Sequence, residues 1–236
     1  MEQKLDRERY ARHIALQGIG EEGQRKLARA RVLVVGVGGL GSPAALYLAA
    51  AGVGEIGLVD DDTVSLSNLQ RQILYKEDEV GMPKVACARK RLEEMNGEVK
   101  VREYFCRMTA SNAASLVSGY DLVVDGTDTF AARYLIGDVT ARLTIPYIYG
   151  AIREYDGQVS VFNLPDGRAY RDLYPDEEAL LSMKRTETGV IGVLPGIVGS
   201  VEAAEAIKVI TGCGTPLSGK LWTIDILTMQ SYILSF

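Results

Sequence analysis

Short apolar runs alternate with amphipathic stretches along this chain, at a spacing that predicts repeated strand–helix–strand units. Arg31 to Val35 reads as a buried strand, a glycine turn follows, and Ser42 to Ala51 has the composition of a buried helix. Gly52 and Gly54 stop that helix and lead into a second strand, Glu55 to Val59. Asp61 to Val80 is irregular, and Pro83 then opens a helix that runs through Met95 and stops at Asn96-Gly97. Val99 to Tyr104 alternates as a third strand, Ser111 to Val117 is a short helix, and Asp121 to Asp125 is a fourth strand. Thr129 to Arg142 is the next helix, and Ile145 to Gly150 the fifth strand.

Strands alternating with helices at this spacing predict a parallel sheet covered on both faces, here over the first 150 residues. The pattern then changes. Gln158 to Asn163 alternates, and Lys220 to Leu227 and Met229 to Ser235 are two strands with a two-residue break, expected as an antiparallel extension of the same sheet. Gly199 to Thr211 is a helix between them. Leu164 to Gly189 is polar and weakly periodic, with one helical turn expected at Asp176 to Met183, and loops of such length are usually functional or mobile. The first thirty residues are polar and amphipathic, with Glu21 to Arg29 the clearest helix. The fold class expected is therefore α/β, a Rossmann-like, doubly wound, mainly parallel sheet extended by antiparallel C-terminal strands.

Val32 to Gly54 carries no charged residue and is long enough to cross a bilayer, but its glycine clusters fit the strand–turn–helix instead. The charged N-terminus, Met1 to Arg9, lacks the apolar centre of a signal peptide. A net charge of −5 argues against nucleic-acid or membrane binding driven by overall charge. Three cysteines without a CxxC spacing suit a reducing, cytoplasmic setting, and a single histidine leaves little for a His-based metal site.

The chemistry concentrates after the strands. Gly36, Gly38, Gly39 and Gly41 let the backbone turn sharply and approach a phosphate, which the N–H groups at the following helix N-terminus would face. Nineteen residues beyond Gly41, Asp60 ends the second strand, where an acid suits a ribose hydroxyl pair. Taken alone, that pattern reads as a dinucleotide site. Asn68, Arg71, Gln72 and Lys84 change the reading to ATP, because a triphosphate carries about four negative charges and the helix dipole offsets only about half of one. Asp60-Asp61-Asp62 could otherwise be a solvated acidic loop. Asp125 and Asp128 both follow the fourth strand, at the carboxyl edge where such sheets bind ligands. Asp128 can project into the crevice as a hard ligand for Mg²⁺, or it can cap the next helix.

Over residues 7 to 236 the chain resembles the MoeB/ThiF family of ATP-dependent activating enzymes for ubiquitin-like sulfur-carrier proteins. The resemblance rests on Arg9-Tyr10-Ala11-Arg12-His13-Ile14, the Gly36–Gly41 turn, Asp60-Asp61-Asp62-Thr63-Val64 and the highly specific Asn68-Leu69-Gln70-Arg71-Gln72. Val80-Gly81-Met82-Pro83-Lys84, Asp125-Gly126-Thr127-Asp128 and Gly189-Val190-Ile191-Gly192 continue it. It implies a single activating domain over 1–236, with an N-terminal helical arm (1–30), a nucleotide-binding half (31–150) and a carrier-binding half with a crossover loop (151–236). It further implies that Asp60, with Asp62 and Gln72 nearby, holds the nucleotide. Asn68, Arg71 and Lys84 would bind phosphates and orient the attack, and Asp128 would hold Mg²⁺. Arg12 would reach the phosphates of the other subunit of a homodimer. The reaction implied is adenylation of the C-terminal glycine of a small β-grasp carrier ending in Gly-Gly, with pyrophosphate leaving, and it needs no protein nucleophile.

The chain departs from the family pattern in two places. Many relatives bind zinc through two CxxC pairs, whereas the first of these regions reads Ala169-Tyr170-Arg171-Asp172 here, so no zinc is expected. Some relatives carry a cysteine just before the Gly-Val motif, where this chain has Lys184-Arg185-Thr186-Glu187-Thr188. Cys87 is expected as a small buried hydrophobe, and neither Cys106 nor Cys213 is placed as a sulfur nucleophile. The alternatives are an NAD-dependent oxidoreductase on the same fold, a tRNA-adenylating dehydratase relative, and a non-catalytic scaffold. The first leaves Arg12, Arg71 and Lys84 unexplained, the acidic charge balance and the carrier-type segments oppose the second, and the complete nucleotide set opposes the third.

Overall fold

The computed structural model describes residues 5–165, 167–183 and 189–236. In chain order the elements are α1 (Ala11–Ile14), α2 (Gly20–Arg29), β1 (Arg31–Val35), α3 (Gly41–Ala50), β2 (Glu55–Val59), α4 (Lys84–Met95) and β3 (Lys100–Tyr104). They continue with α5 (Ala113–Val117), β4 (Leu122–Asp125), α6 (Phe130–Leu143), β5 (Tyr147–Arg153) and β6 (Asp156–Phe162). The last are α7 (Tyr170–Leu173), α8 (Glu177–Ser182), α9 (Val193–Thr211), β7 (Lys220–Asp225) and β8 (Gln230–Ser235).

All eight strands form one sheet, in the order β3-β2-β1-β4-β5-β6-β7-β8. The first five are parallel, and β6, β7 and β8 are added antiparallel, as the sequence pattern predicts. Strand order reverses between β1 and β4, and at such a switch point the loops leaving two adjacent strands diverge and open a crevice. Val32 to Val35 and all of β4 are buried, since helices cover both faces, while β3 at the sheet's edge fully buries only Val101.

One face packs against α3, α4 and α9, and the other against α5 and α6. α3 is apolar almost throughout because it lies between sheet and helix, and α9 approaches it closely. A methyl group at Gly199 would stand 2.4 Å from the Leu40 carbonyl oxygen. α9 begins at Val193, six residues before the start that the sequence pattern suggests. Pro195 falls in its first turn, where a missing N–H costs nothing, and Gly212 ends it in the left-handed region at φ 78°.

The polar segment after β6 contains the predicted turn as α8, capped by the Asp176 carboxylate accepting from Ala179 N–H at 3.0 Å. It also contains α7, which periodicity did not reveal. α7 is held by tertiary contacts: Tyr170 is fully buried among Tyr134, Tyr147, Tyr149, Phe162 and Tyr174, and Arg171 pairs with Asp138 and Glu177. Ala169 to Asp172 is thus built from an aromatic anchor and carboxylate pairs. Lys184 to Thr188 lies outside the described residues.

Candidate nucleotide site

The glycine turn after β1 is held by neighbours that the strand order brings to it. Gly36 (φ 81°), Gly41 and Gly126 meet backbone to backbone: a Cβ at Gly126 would stand 2.1 Å from the Gly36 carbonyl oxygen, and one at Gly41 only 1.9 Å from the same atom. Gly36 and Gly41 are therefore fixed by packing against the β4 loop. Gly38 and Gly39 differ, since side chains face them across a gap. Gln72 Nε2 lies 3.4 Å from a Cβ built on Gly38, and on Gly39 the neighbours are Pro195 at 3.2 Å and the Arg71 Cδ at 3.8 Å. Those two glycines keep the backbone open between the turn and the Arg71–Gln72 segment.

Val37, at the apex, is pinned on both polar groups. Its N–H donates to Asp60 Oδ2 at 2.7 Å, and its carbonyl accepts from the Tyr75 hydroxyl at 2.6 Å and the Ser42 hydroxyl at 3.3 Å. Asp60 Oδ1 accepts from Asp62 N–H at 2.8 Å. Burial pushes the Asp60 carboxyl above its ordinary range, against these two backbone N–H bonds and the Lys84 charge, which favour the anion. Asp60 thus anchors the turn, and a carboxylate with two further lone-pair directions can still accept from a ribose. Tyr75 and Ser42 were not identified from sequence, because neither has a charge or spacing that marks it. The apolar run Ile73-Leu74-Tyr75 beside the basic segment was the available signal.

Asp62 links onward to Lys84. Lys84 is 4% exposed, and its Nζ donates to Asp62 Oδ2 at 2.9 Å. A buried ammonium paired with a mostly exposed carboxylate is poised to exchange that partner for a phosphate oxygen. Asn68 to Gln72 forms a single turn in which the Asn68 carbonyl accepts from the Arg71 and Gln72 N–H groups at 3.0 and 2.9 Å. That turn aims the side chains of Arg71 and Gln72 at the glycines. Arg71 Nη1 donates to the Ser67 carbonyl at 3.2 Å. Gln72 is 5% exposed, and its Oε1 is buried with no hydrogen-bond partner among the described residues. A buried amide oxygen beside an open glycine turn fits a nucleotide donor such as a ribose hydroxyl.

Asp128 is exposed beyond β4, two residues after the Gly126 contact. Thr129, not Asp128, caps α6, its hydroxyl accepting from Ala132 N–H at 3.2 Å. The capping alternative for Asp128 is thereby displaced, and its hard carboxylate at the sheet's carboxyl edge suits Mg²⁺. Asp125 turns inward instead: it is fully buried, accepts from the Tyr147 hydroxyl and Thr127 N–H, and faces Arg133, so it is no crevice ligand.

Arg12 is not brought to this site within one chain. Its helix α1 sits at the other end of α3, where Tyr10 abuts Gly52, and His13 bonds Gln24, whose amide reaches the Ala51 carbonyl. The Gly189–Gly192 motif does reach the site, since Gly192 seats against Gln70 and brings Pro195 over Gly39. Among the cysteines, Cys87 is buried in α4 and burial raises its thiol pKa, as a small packing residue would show.

A glycine turn at a switch point, pinned by a strand-end acid and faced by an arginine and a glutamine, with a buried lysine on the neighbouring Asp62, defines a nucleotide-binding α/β protein. The chain belongs to the ThiF family, which it matches over residues 10–235. It is 47% identical over 230 residues to a sulfur carrier protein adenylyltransferase of Thermus thermophilus, covering 95% of this chain and 85% of that one. It is 46% identical to adenylyltransferase and sulfurtransferase MOCS3-1 of Zea mays, covering 94% of this chain but 48% of the relative, so it spans about half the length of such two-function relatives. The fold matches a crystal structure of E. coli MccB with MccA-N7isoASN, with TM-score 0.86 and 23% identity over 99% of this chain and 73% of that one.

Proposed function

We propose that this chain adenylates the C-terminal glycine of a small β-grasp sulfur-carrier protein ending in Gly-Gly, with ATP as the nucleotide. The observation that carries the reading is that Arg71 and Gln72 face the Gly38–Gly39 turn while the buried Lys84 reaches Asp62, which bonds the turn's anchor Asp60. The relatives' names as adenylyltransferases disfavour the NAD alternative.

In this reading the triphosphate lies along the turn and the N-terminus of α3, whose N–H groups and dipole favour an anion. Asp60 accepts from the ribose, with Gln72 and Asp62 beside it. Lys84 leaves Asp62 for a phosphate oxygen, and Arg71 and Asn68 hold the remaining phosphates. Mg²⁺ held by Asp128 would neutralise charge building on the departing pyrophosphate. The carrier's carboxylate oxygen bonds to the α-phosphorus as the bond from that phosphorus to the bridging oxygen of pyrophosphate breaks, so no proton transfer and no protein nucleophile are needed.

Residues 1–236 would act as one activating domain, with 31–150 gripping the nucleotide and 151–236 receiving the carrier. The exposed Leu227, Met229, Ile233 and Leu234 offer the second half an apolar surface for it. Arg12, remote from the site of its own chain, would serve the other subunit of a homodimer. The overall acidity of the chain disfavours nucleic acid as a partner, and no helix among the described residues is long and apolar enough to cross a membrane. A cytoplasmic setting is proposed from cysteine usage.

Thermal shift against ATP and NAD, followed by intact-mass analysis of a Gly-Gly-tailed carrier after incubation with enzyme, ATP and Mg²⁺, tests the proposal. ATP protection and a carrier heavier by one AMP are expected. Protection by NAD alone would overturn it.

A further inference from the structure

Thr127, immediately before Asp128, is gripped on both of the peptide groups that flank its Cα. Its N–H donates to Asp125 Oδ1 at 2.8 Å, and its carbonyl accepts from Arg133 Nη2 at 3.2 Å. Both grips come from the interior. Asp125 is fully buried, and its second oxygen takes the Tyr147 hydroxyl. Arg133 is 7% exposed, with its guanidinium carbon 5.6 Å from the ring centres of both Phe130 and Tyr149. Tyr149 is itself held, because Gln158 Nε2 reaches its hydroxyl and that of Tyr174, each at 2.6 Å.

Helix formation does not explain this arrangement. α6 has its cap in Thr129, and Arg133 leaves its Nε buried without a partner among the described residues, which a core arranged for stability alone would avoid. What the opposed charges do accomplish is to fix the orientation of two successive peptide planes, Gly126–Thr127 and Thr127–Asp128. The second of these planes, held through the Thr127 carbonyl, leads directly into Asp128.

We propose that Asp125 and Arg133 are positioning residues that clamp the peptide groups on either side of Thr127 and thereby aim the Asp128 carboxylate at the metal and phosphates. The inference rests on the reading of Asp128 as the Mg²⁺ ligand. The clamp matters because constellations of this kind must hold within about 0.5 Å, and a misplacement of about 1 Å can cost about 10²-fold in rate. The adjoining acid Glu202 faces the same pair from α9, where it is fully buried against Gly150.

Mn²⁺ serves as the probe. Its affinity for the full chain in the presence of a nonhydrolysable ATP analogue is measured by electron paramagnetic resonance for wild type, Arg133→Met, Arg133→Lys and Asp128→Asn, with thermal melts of each. Arg133→Met is expected to weaken Mn²⁺ by about tenfold and to lower kcat for adenylation by about 10 to 10²-fold, with KM for the carrier within about threefold of wild type. Arg133→Lys, which keeps one donor for the Thr127 carbonyl, is expected to fall between the two. Wild-type Mn²⁺ affinity in a folded Arg133→Met overturns the clamp, as does an equal loss of Mn²⁺ and carrier affinity. Should Arg133→Met not fold, wild-type Mn²⁺ affinity and kcat in Arg133→Lys overturn it. If Asp128→Asn loses Mn²⁺ and Arg133→Met does not, the clamp alone falls. If Asp128→Asn itself binds Mn²⁺ as wild type does, the Asp128 reading falls and takes the clamp with it.

Discussion

Glu202 shows how much a single side chain in this core depends on its protonation state. Both of its oxygens are buried without hydrogen-bond partners among the described residues, and its carboxyl lies against Gly150. Burial raises its pKa well above the ordinary 4.5, with Asp125 adding to the rise and Arg133 opposing it. A carboxyl with a raised folded pKa contributes stability that is complete below its unfolded value and is lost as pH climbs through the window above it. Glu202→Gln, which cannot ionise, should therefore gain on wild type in Tm steadily from about pH 5 to pH 8. Melting curves whose separation does not change with pH would contradict a buried titrating carboxyl here. Residues of this kind are hard to read from sequence. Asp60 stands out in the sequence by its position after the second strand, but its bond to Val37 N–H depends on a turn that arrives from another part of the chain. Glu202 sits in an Ala-rich helical segment, and nothing in that pattern distinguishes it from a solvated acid.

At the scale of elements, the junction of β1, α3 and β4 is the part the site depends on most. Three glycines allow the turn and the β4 loop to touch, and Gly126→Ala would drive a methyl group into the Gly36 carbonyl. The expected cost is about 1–3 kcal/mol of stability, seen as a lower Tm, together with weaker ATP binding by titration calorimetry. Gly97→Ala, with nothing within 4 Å of the added carbon, should change neither by more than experimental scatter. Unchanged Tm and ATP affinity in Gly126→Ala would show that the contact is soft. The parallel strands and the helices between them were legible because burial on both faces produces unbroken apolar runs. The start of α9 was not, because Gly192 and Pro195 look like breakers unless the contacts with Gln70 and Gly39 that place them are known. α7 was missed for a related reason: four residues carry no period, and an aromatic cluster drawn from two strands and α6 holds them.

For the whole molecule, the far placement of Arg12 gives the proposed homodimer a specific consequence. If Arg12 completes the partner's site, Arg12→Ala and Lys84→Ala should each be inactive alone, yet mixed dimers should regain one intact site that takes Arg12 from the Lys84→Ala chain and Lys84 from the other. Each single substitution removes a charge-assisted phosphate contact and should cost roughly 10²–10³ in rate. Mixed dimers that form but stay inactive would place Arg12 outside the site, as a surface cation contributing under about 1 kcal/mol.

The account as a whole claims that a triphosphate is gripped so that a carrier's terminal carboxylate can displace pyrophosphate. The measurement that tests this most directly is exchange of labelled pyrophosphate into ATP, with Mg²⁺ present, across a panel of Gly-Gly-tailed β-grasp carriers and the same carriers lacking the last glycine. Exchange should require an intact carrier tail and Mg²⁺, and should fall by roughly 10²–10³ in Lys84→Ala. Exchange that runs equally well with no carrier, or no exchange with any carrier tested, would contradict the account.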